Sequence, residues 1–371
     1  MEKRIYEDNT KLILAKKYQN QKTYLTVISS AILFLYTIFF VLFFLEQDQI
    51  LVDYAPFFSG IYYFIIYYVL RTLLAFPFEI YQSFKLPKKI GISNETFSLW
   101  ITNQFKSFVL VLFFGSFASG LLLICIENYP DFWWVYFSVL ISGFFIFIFL
   151  FGQTIIAPLF FNFEKLSDSK IEKSLLNLRE NIGFKGQSDI WVMKTKKYGD
   201  YANAFISGFG PTRKIVITES VLEYNPEEIE CIVAHELAHL YFSHNLLLCV
   251  YKIVSFIGFF YIFKLLLDSE YLPINDLDIY SVNTIGILLI FFLIFNFIIS
   301  PIFLMVSRKM EFACDLFALK YVSNQSCLIS VLKKLCTRNF CDPNPPYFFK
   351  IFFYTHPPFS ERIKRLISLM N

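Results

Sequence analysis

The 371-residue chain is 56% hydrophobic and 17% charged, with a mean hydropathy of +0.53, whereas soluble domains carry roughly 45–50% apolar and about 25% charged residues. Its 48 Phe and 23 Tyr exceed what a water-facing surface carries without large sticky patches. Disorder, fibrous repeats and a secreted disulfide scaffold are excluded, and a dispersed net charge of +3 argues against nucleic acid as a partner.

In chain order, a basic start with Lys3, Arg4, Lys11, Lys16, Lys17 and Lys22 precedes an uncharged run at residues 23–45. A membrane helix needs about 20 apolar residues, and this run is too long for a signal-peptide core, so it is expected as a retained first span. Further spans are expected at about 54–78, 107–126 and 132–158, then at 245–267 and 281–306. Arg71, Lys252 and Lys264 lie near span ends, where long cations snorkel to the interface. Lys85, Lys88, Lys89 and Lys106 fall between the second and third spans, while the connections 46–53, 127–131 and 268–278 contain no Lys or Arg. With six spans, the positive-inside rule places both termini and the polar segments in the cytoplasm.

The resulting fold class is a multi-pass α-helical membrane protein of about six spans with a small cytoplasmic α/β domain. We divide it into an N-terminal membrane domain, 1–163, and a second domain, 164–371, that includes the last two spans. Within the second, 171–181 reads as a helix, and 188–194, 202–208 and 214–218 read as short strands bounded by Gly and Pro. Seven cysteines without a CxxC motif indicate neither a disulfide framework nor a Cys zinc site.

Asn225-Pro226-Glu227-Glu228 then supplies an N-cap, a first-turn Pro and a capping-box Glu. The helix it opens carries His235-Glu236-Leu237-Ala238-His239. This is HExxH: two imidazoles one turn apart share a helix face and can bind one Zn²⁺, with Glu236 placed to take a proton from water. A catalytic zinc needs a third protein ligand. His244 comes too early for the longer HExxHxxGxxH pattern, and the best candidate is Glu311, beyond the sixth span. Asp315, one turn later, can accept a hydrogen bond from a ligating imidazole. Counted along the helices, His239 and Glu311 fall within roughly 10 Å of the cytoplasmic interface.

Together these residues resemble the type I CAAX prenyl protease family of integral-membrane zinc metalloproteases. The resemblance extends to Tyr201-Ala202-Asn203-Ala204-Phe205, Gly208-Phe209-Gly210, Arg213 to Ile217, His356-Pro357-Pro358 with Glu361-Arg362, and Ala157 to Phe160. It also reaches residues 76–91, where the family has a strand. The resemblance implies one zinc on a gluzincin-like domain, with His235, His239 and Glu311 as ligands and Glu236 as catalytic base. It further implies that Asn203 and Ala204 lie on a substrate-pairing edge strand, and that His356 stabilises the oxyanion or orients substrate, with Arg362 nearby. His244 is left as structural.

Residues 86–92, LPKKIGI, replace an acidic pair, and one N-terminal span and a long acidic insertion of the eukaryotic members are missing. A bacterial relative in the inner membrane is therefore expected, rather than an endoplasmic reticulum protein. The expected partners are a peptide or protein substrate, lipidated or membrane-bound, and the lipid bilayer. Three readings follow: a CAAX-processing endopeptidase, an HtpX-type quality-control protease, and a non-catalytic scaffold or transporter with a structural metal.

Overall fold

A polar-apolar repeat before the first apolar run extends the first helix well ahead of residue 23. Helix α1 spans Asn9–Glu46, and Leu12, Ala15 and Tyr18 on its early turns are buried. The computed structural model describes residues 5–6, 8–46, 54–183, 189–207, 213–269 and 282–370. Lys3, Arg4, Ser188, the Gly208-Phe209-Gly210 motif and most of the connections at 46–53 and 268–278 lie outside the described residues.

Helix α2 (Pro56–Glu79) runs on through a π-helical stretch, Ile80–Lys85, and a last turn, Leu86–Ile90. The strand expected between 76 and 91 is thus helical. The span continues without a neighbouring strand to pair with, and it stops only at Gly91, whose φ of 80° is a left-handed helix cap. Helices α3 (Phe97–Asn128) and α4 (Trp133–Phe151) follow, with α7 (His244–Leu267) and α8 (Asn283–Tyr321) later in the chain. Among the described residues, six helices are long and apolar enough to cross a membrane. They carry large apolar side chains outward, such as Phe39, Leu73, Val139 and Phe297, as lipid-facing helices do. Between α2 and α3 the backbones nearly touch, since a Cβ on Gly60 would sit 2.6 Å from the carbonyl oxygen of Ser119. Small residues permit this approach where no hydrophobic force separates protein from lipid.

Four short strands, β1 (Asn162–Lys165), β2 (Asp189–Lys194), β3 (Ala204–Ser207) and β4 (Lys214–Thr218), form one sheet in the order β1-β2-β4-β3. The central pair β2 and β4 is parallel and the outer pairs are antiparallel, with Ala204 opposite Ile217. β3 is therefore an edge strand. β1, four residues of mixed polarity, has no sequence signal of its own. Helix α5 (Ser169–Asn181) begins at Asp168, whose carboxylate accepts from the main-chain N–H of Lys170 and Ile171. The HExxH helix α6 (Pro226–Tyr241), α9 (Gln325–Arg338), α10 (Tyr347–Phe353) and α11 (Phe359–Met370) complete the polar half.

The start of the chain joins this half. Ile5, Tyr6, Leu12 and Ala15 share one buried core with Val233, Leu237, Cys314 and Ile363. The Tyr6 hydroxyl donates to the carbonyls of Cys336 and Cys341, at 3.0 and 2.9 Å.

Candidate metal centre and cleft

Helix α6 starts where sequence reasoning puts it. The Glu228 carboxylate accepts from the Asn225 N–H at 3.1 Å and completes the capping box. It also accepts from Ser330 and Lys334 of α9, which fixes α6 against α9. Burial opposes its charge, but Lys334 and these hydrogen bonds hold it below the usual carboxylate range. After Tyr241 the chain breaks sharply at Ser243, a left-handed residue with φ 54°, and α7 leaves in a new direction. Such a conformation costs a non-glycine residue about 1–2 kcal/mol.

His235 and His239 project from one face of α6 with ring centroids 5.3 Å apart. Glu311 of α8 meets both, with Oε2 3.1 Å from His235 Nε2 and Oε1 3.3 Å from His239 Nε2. His356, in the turn between α10 and α11, brings its Nε2 to 3.3 Å from the same Oε1. Asp315, one turn along α8, places Oδ1 3.0 Å from His235 Nδ1. Arg362 donates from Nε and Nη2 to the two oxygens of Asp315, at 2.8 and 2.6 Å. The guanidinium expected near substrate is thus engaged with Asp315, with Nη2 also 3.4 Å from His235 Nδ1.

Two donor sets fit a metal ion here. In the first, both histidine Nε2 atoms and the Glu311 carboxylate converge, a His₂Glu set that suits catalytic zinc. In the second, Cys314 Sγ lies within 4.8 Å of ring nitrogens of His235 and His239. Cys314 Sγ is 3.5 Å from His244 Nδ1, which is 3.2 Å from His239 Nδ1, so the thiol lies toward the Nδ1 side. Because Asp315 occupies His235 Nδ1, the free nitrogen of that ring is Nε2, which faces Glu311.

Burial opposes a charge on His235, but the Asp315 and Glu311 carboxylates override it and raise its pKa from 6.5 to about 10. A metal must displace that proton. We expect about one proton released per zinc and an affinity that rises about tenfold per pH unit from pH 6.5 to about 10. Calorimetry in buffers of different ionisation enthalpy counts the proton, and release of none would contradict a protonated His235. By the same linkage, this proton stabilises the metal-free fold fully below pH 6.5, and the contribution is lost as pH rises through about 10.

The cluster opens into a cleft of about 500 Å³ whose wall includes Asn203, Ala204, Glu236, His356 and Arg362, with Thr23 and Thr26 of α1. Burial raises the Glu236 carboxyl above its ordinary value. The edge strand is anchored from behind. Asn339 accepts from the N–H of Ala202 and donates to its carbonyl, while the Asn203 N–H donates to Thr218 Oγ1 and its carbonyl accepts from the Thr218 N–H. The main chain of Asn203 is therefore used inward, and strand alternation turns the N–H and C=O of Ala204 outward. Sequence reasoning missed Cys314, Asn339 and the α1 threonines. Cys314 lies inside the motif that marked Glu311 and Asp315.

Residues 165–369 match peptidase family M48, and residues 5–162 match the N-terminal region of CAAX prenyl proteases, described as five membrane helices. The chain belongs to peptidase family M48. This M48 protein carries, in the matched N-terminal region, four of the six described membrane-length helices. It is 28% identical over 336 residues to CAAX prenyl protease 1 of Saccharomyces cerevisiae, covering 80% of this chain and 69% of that one. It is 25% identical to the human CAAX prenyl protease 1 homolog, covering 80% and 71%. It is 24% identical to the Bacillus subtilis protein named uncharacterized metalloprotease YhfN, covering 80% and 70%. The crystal structure of S. mikatae Ste24p shares the fold, with a TM-score of 0.81 at 22% identity over 97% of this chain and 89% of that one. This is a multi-pass membrane protein of a metalloprotease family, and that family implies a metal, generally zinc.

Proposed function

We propose that this chain is a zinc endopeptidase that cleaves peptide bonds at the cytoplasmic face of its membrane, on C-terminal CAAX-type segments of lipidated proteins. The observation that carries the reading is the shared wall: His235, Glu236, His356 and the edge-strand residue Ala204 border a single cleft. An extended substrate adds to β3 through the outward main chain of Ala204, a mode that binds backbone with little side-chain preference, while the exposed Asn203 side chain contacts it from the strand's start. His235, His239 and Glu311 hold the metal. Bound zinc supplies the Lewis acidity that polarises the scissile carbonyl and brings the pKa of water toward neutrality. Glu236 takes the proton of the attacking water and returns it to the leaving amine. His356 donates from its ring to the developing oxyanion. Asp315 holds His235 in one tautomer, and Arg362 positions Asp315.

The basic residues before α1 and between α2 and α3 support a cytoplasmic site, and an inner bacterial membrane agrees with the absence of the acidic insertion. A farnesylated CAAX peptide and its unlipidated twin, offered to the reconstituted protein, test the substrate. We expect at least tenfold higher kcat/KM for the lipidated form, since a buried chain contributes about 0.8 kcal/mol per CH₂. Equal turnover of both would favour an HtpX-type role in clearing damaged membrane proteins.

A further inference from the structure

A second cleft, of about 380 Å³, adjoins the first, with Asn203 in the walls of both. It lies where the end of β2, the end of β4 and the start of β3 meet the base of α3, since Met193 pairs with Thr218 and Ala204 with Ile217. Its polar lining includes Glu95, Asn103, Gln104 and Thr195. Glu95 is half-buried, and one of its oxygens accepts from Asn103 Nδ2 at 3.4 Å. That bond turns the amide so that Asn103 Oδ1 is left without a partner, and Thr195 Oγ1, on a residue only 4% exposed, is also unpartnered. No salt bridge to Glu95 exists among the described residues. Lys88 is committed to the main-chain carbonyl of Glu95, and Lys106 to that of Leu159. Tyr198 and Tyr201 complete the walls, and burial raises the Glu95 carboxyl.

Lys197 and Lys106 stand over the Tyr198 and Phe160 rings of the wall, but the described lining itself holds no Lys or Arg. A carboxylate without a salt bridge, an amide oxygen and a hydroxyl beside tyrosine rings match an ammonium or guanidinium group, which offers only donors and is attracted to aromatic faces. We propose that this cleft is a specificity subsite that takes a lysine or arginine side chain of the substrate. The proposal rests on substrate pairing with β3, because Asn203 links the subsite to that track. Water alone fits the unpartnered atoms less well, since it leaves the carboxylate without a counter-charge.

The test is direct binding to the full-length protein carrying Glu236→Gln, which removes turnover from the measurement. The probes are fluorescent peptides of one neutral sequence in which lysine is scanned against norleucine, read by anisotropy. At one position lysine should bind about tenfold tighter. Glu95→Gln should abolish the preference, and Glu95→Lys should transfer it to glutamate at that position, a reversal that a merely structural Glu95 would not give. Equal binding of lysine and norleucine at every position, no binding by any peptide, or a preference that survives Glu95→Gln would overturn the subsite. The same peptides offered to protein with Glu236 intact test the peptidase reading separately. Lysine-selective binding without any cleavage sinks the peptidase reading and leaves the subsite standing.

Discussion

Glu236→Gln should retain one zinc per chain and lose about 10²- to 10⁴-fold in peptide hydrolysis. Glutamine keeps the shape and burial of the side chain but cannot accept a proton. Glu236 belongs to neither donor set at the metal centre, since the Nε2 atoms of His235 and His239 both turn to Glu311. Zinc stoichiometry by mass spectrometry, measured beside turnover, separates the two roles: Glu311→Ala should lose the metal, and Cys314→Ser should keep it. A scaffold or transporter with a structural metal predicts no functional change in Glu236→Gln. If that variant loses zinc as fully as Glu311→Ala, the division between base and ligand is wrong.

Arg362→Leu should destabilise the fold by about 3–5 kcal/mol. Arg362 and Asp315 are almost wholly buried, at 8% and 3% side-chain exposure, and joined by two hydrogen bonds. Removing the guanidinium leaves the Asp315 carboxylate desolvated, with only His235 beside it. The cost of an unpaired buried charge exceeds what the intact pair contributes. Replacing both residues by leucine should therefore recover much of the loss, and a thermal melt of the two variants reads the difference. The single variant should melt about 4–6 °C lower. Zinc affinity should fall about 10- to 100-fold as well, because Asp315 orients a ligating ring. A single variant as stable as the parent would mean that the pair does not hold the site.

The parts of this site that could be read from sequence are those whose geometry is local to one helix. His235 and His239, like Glu311 and Asp315, are four residues apart, and helical spacing alone puts each pair on one face. The six spans were legible for a related reason, since length and hydropathy are summed along a segment. Contacts between distant segments left no such trace. Asn339 braces Ala202 across 137 residues, and nothing in either neighbourhood announces the other. Residues 76–90 show the opposite failure, in which an expected strand gave way to the helix that enters it. For Arg362, proximity was foreseen, but its engagement with Asp315 needed the fold.

Tyr6 hydrogen-bonds to carbonyls 330 and 335 residues further along, so the first turn of the chain and one of the last are partners. At about 5–20 residues per second of synthesis, the N-terminal segment waits on the order of tens of seconds before its partner exists. His356 and Arg362 are made later still. Between the synthesis of Tyr241 and that of His356, helix α6 is present while the cleft lacks its closing wall and its buried counter-charge. Contacts this distant in sequence also form slowly once available, because the intervening chain must first be ordered. The wall formed by His356 and Arg362 is therefore added to the cleft only after all six membrane-length helices of the described residues have been synthesised.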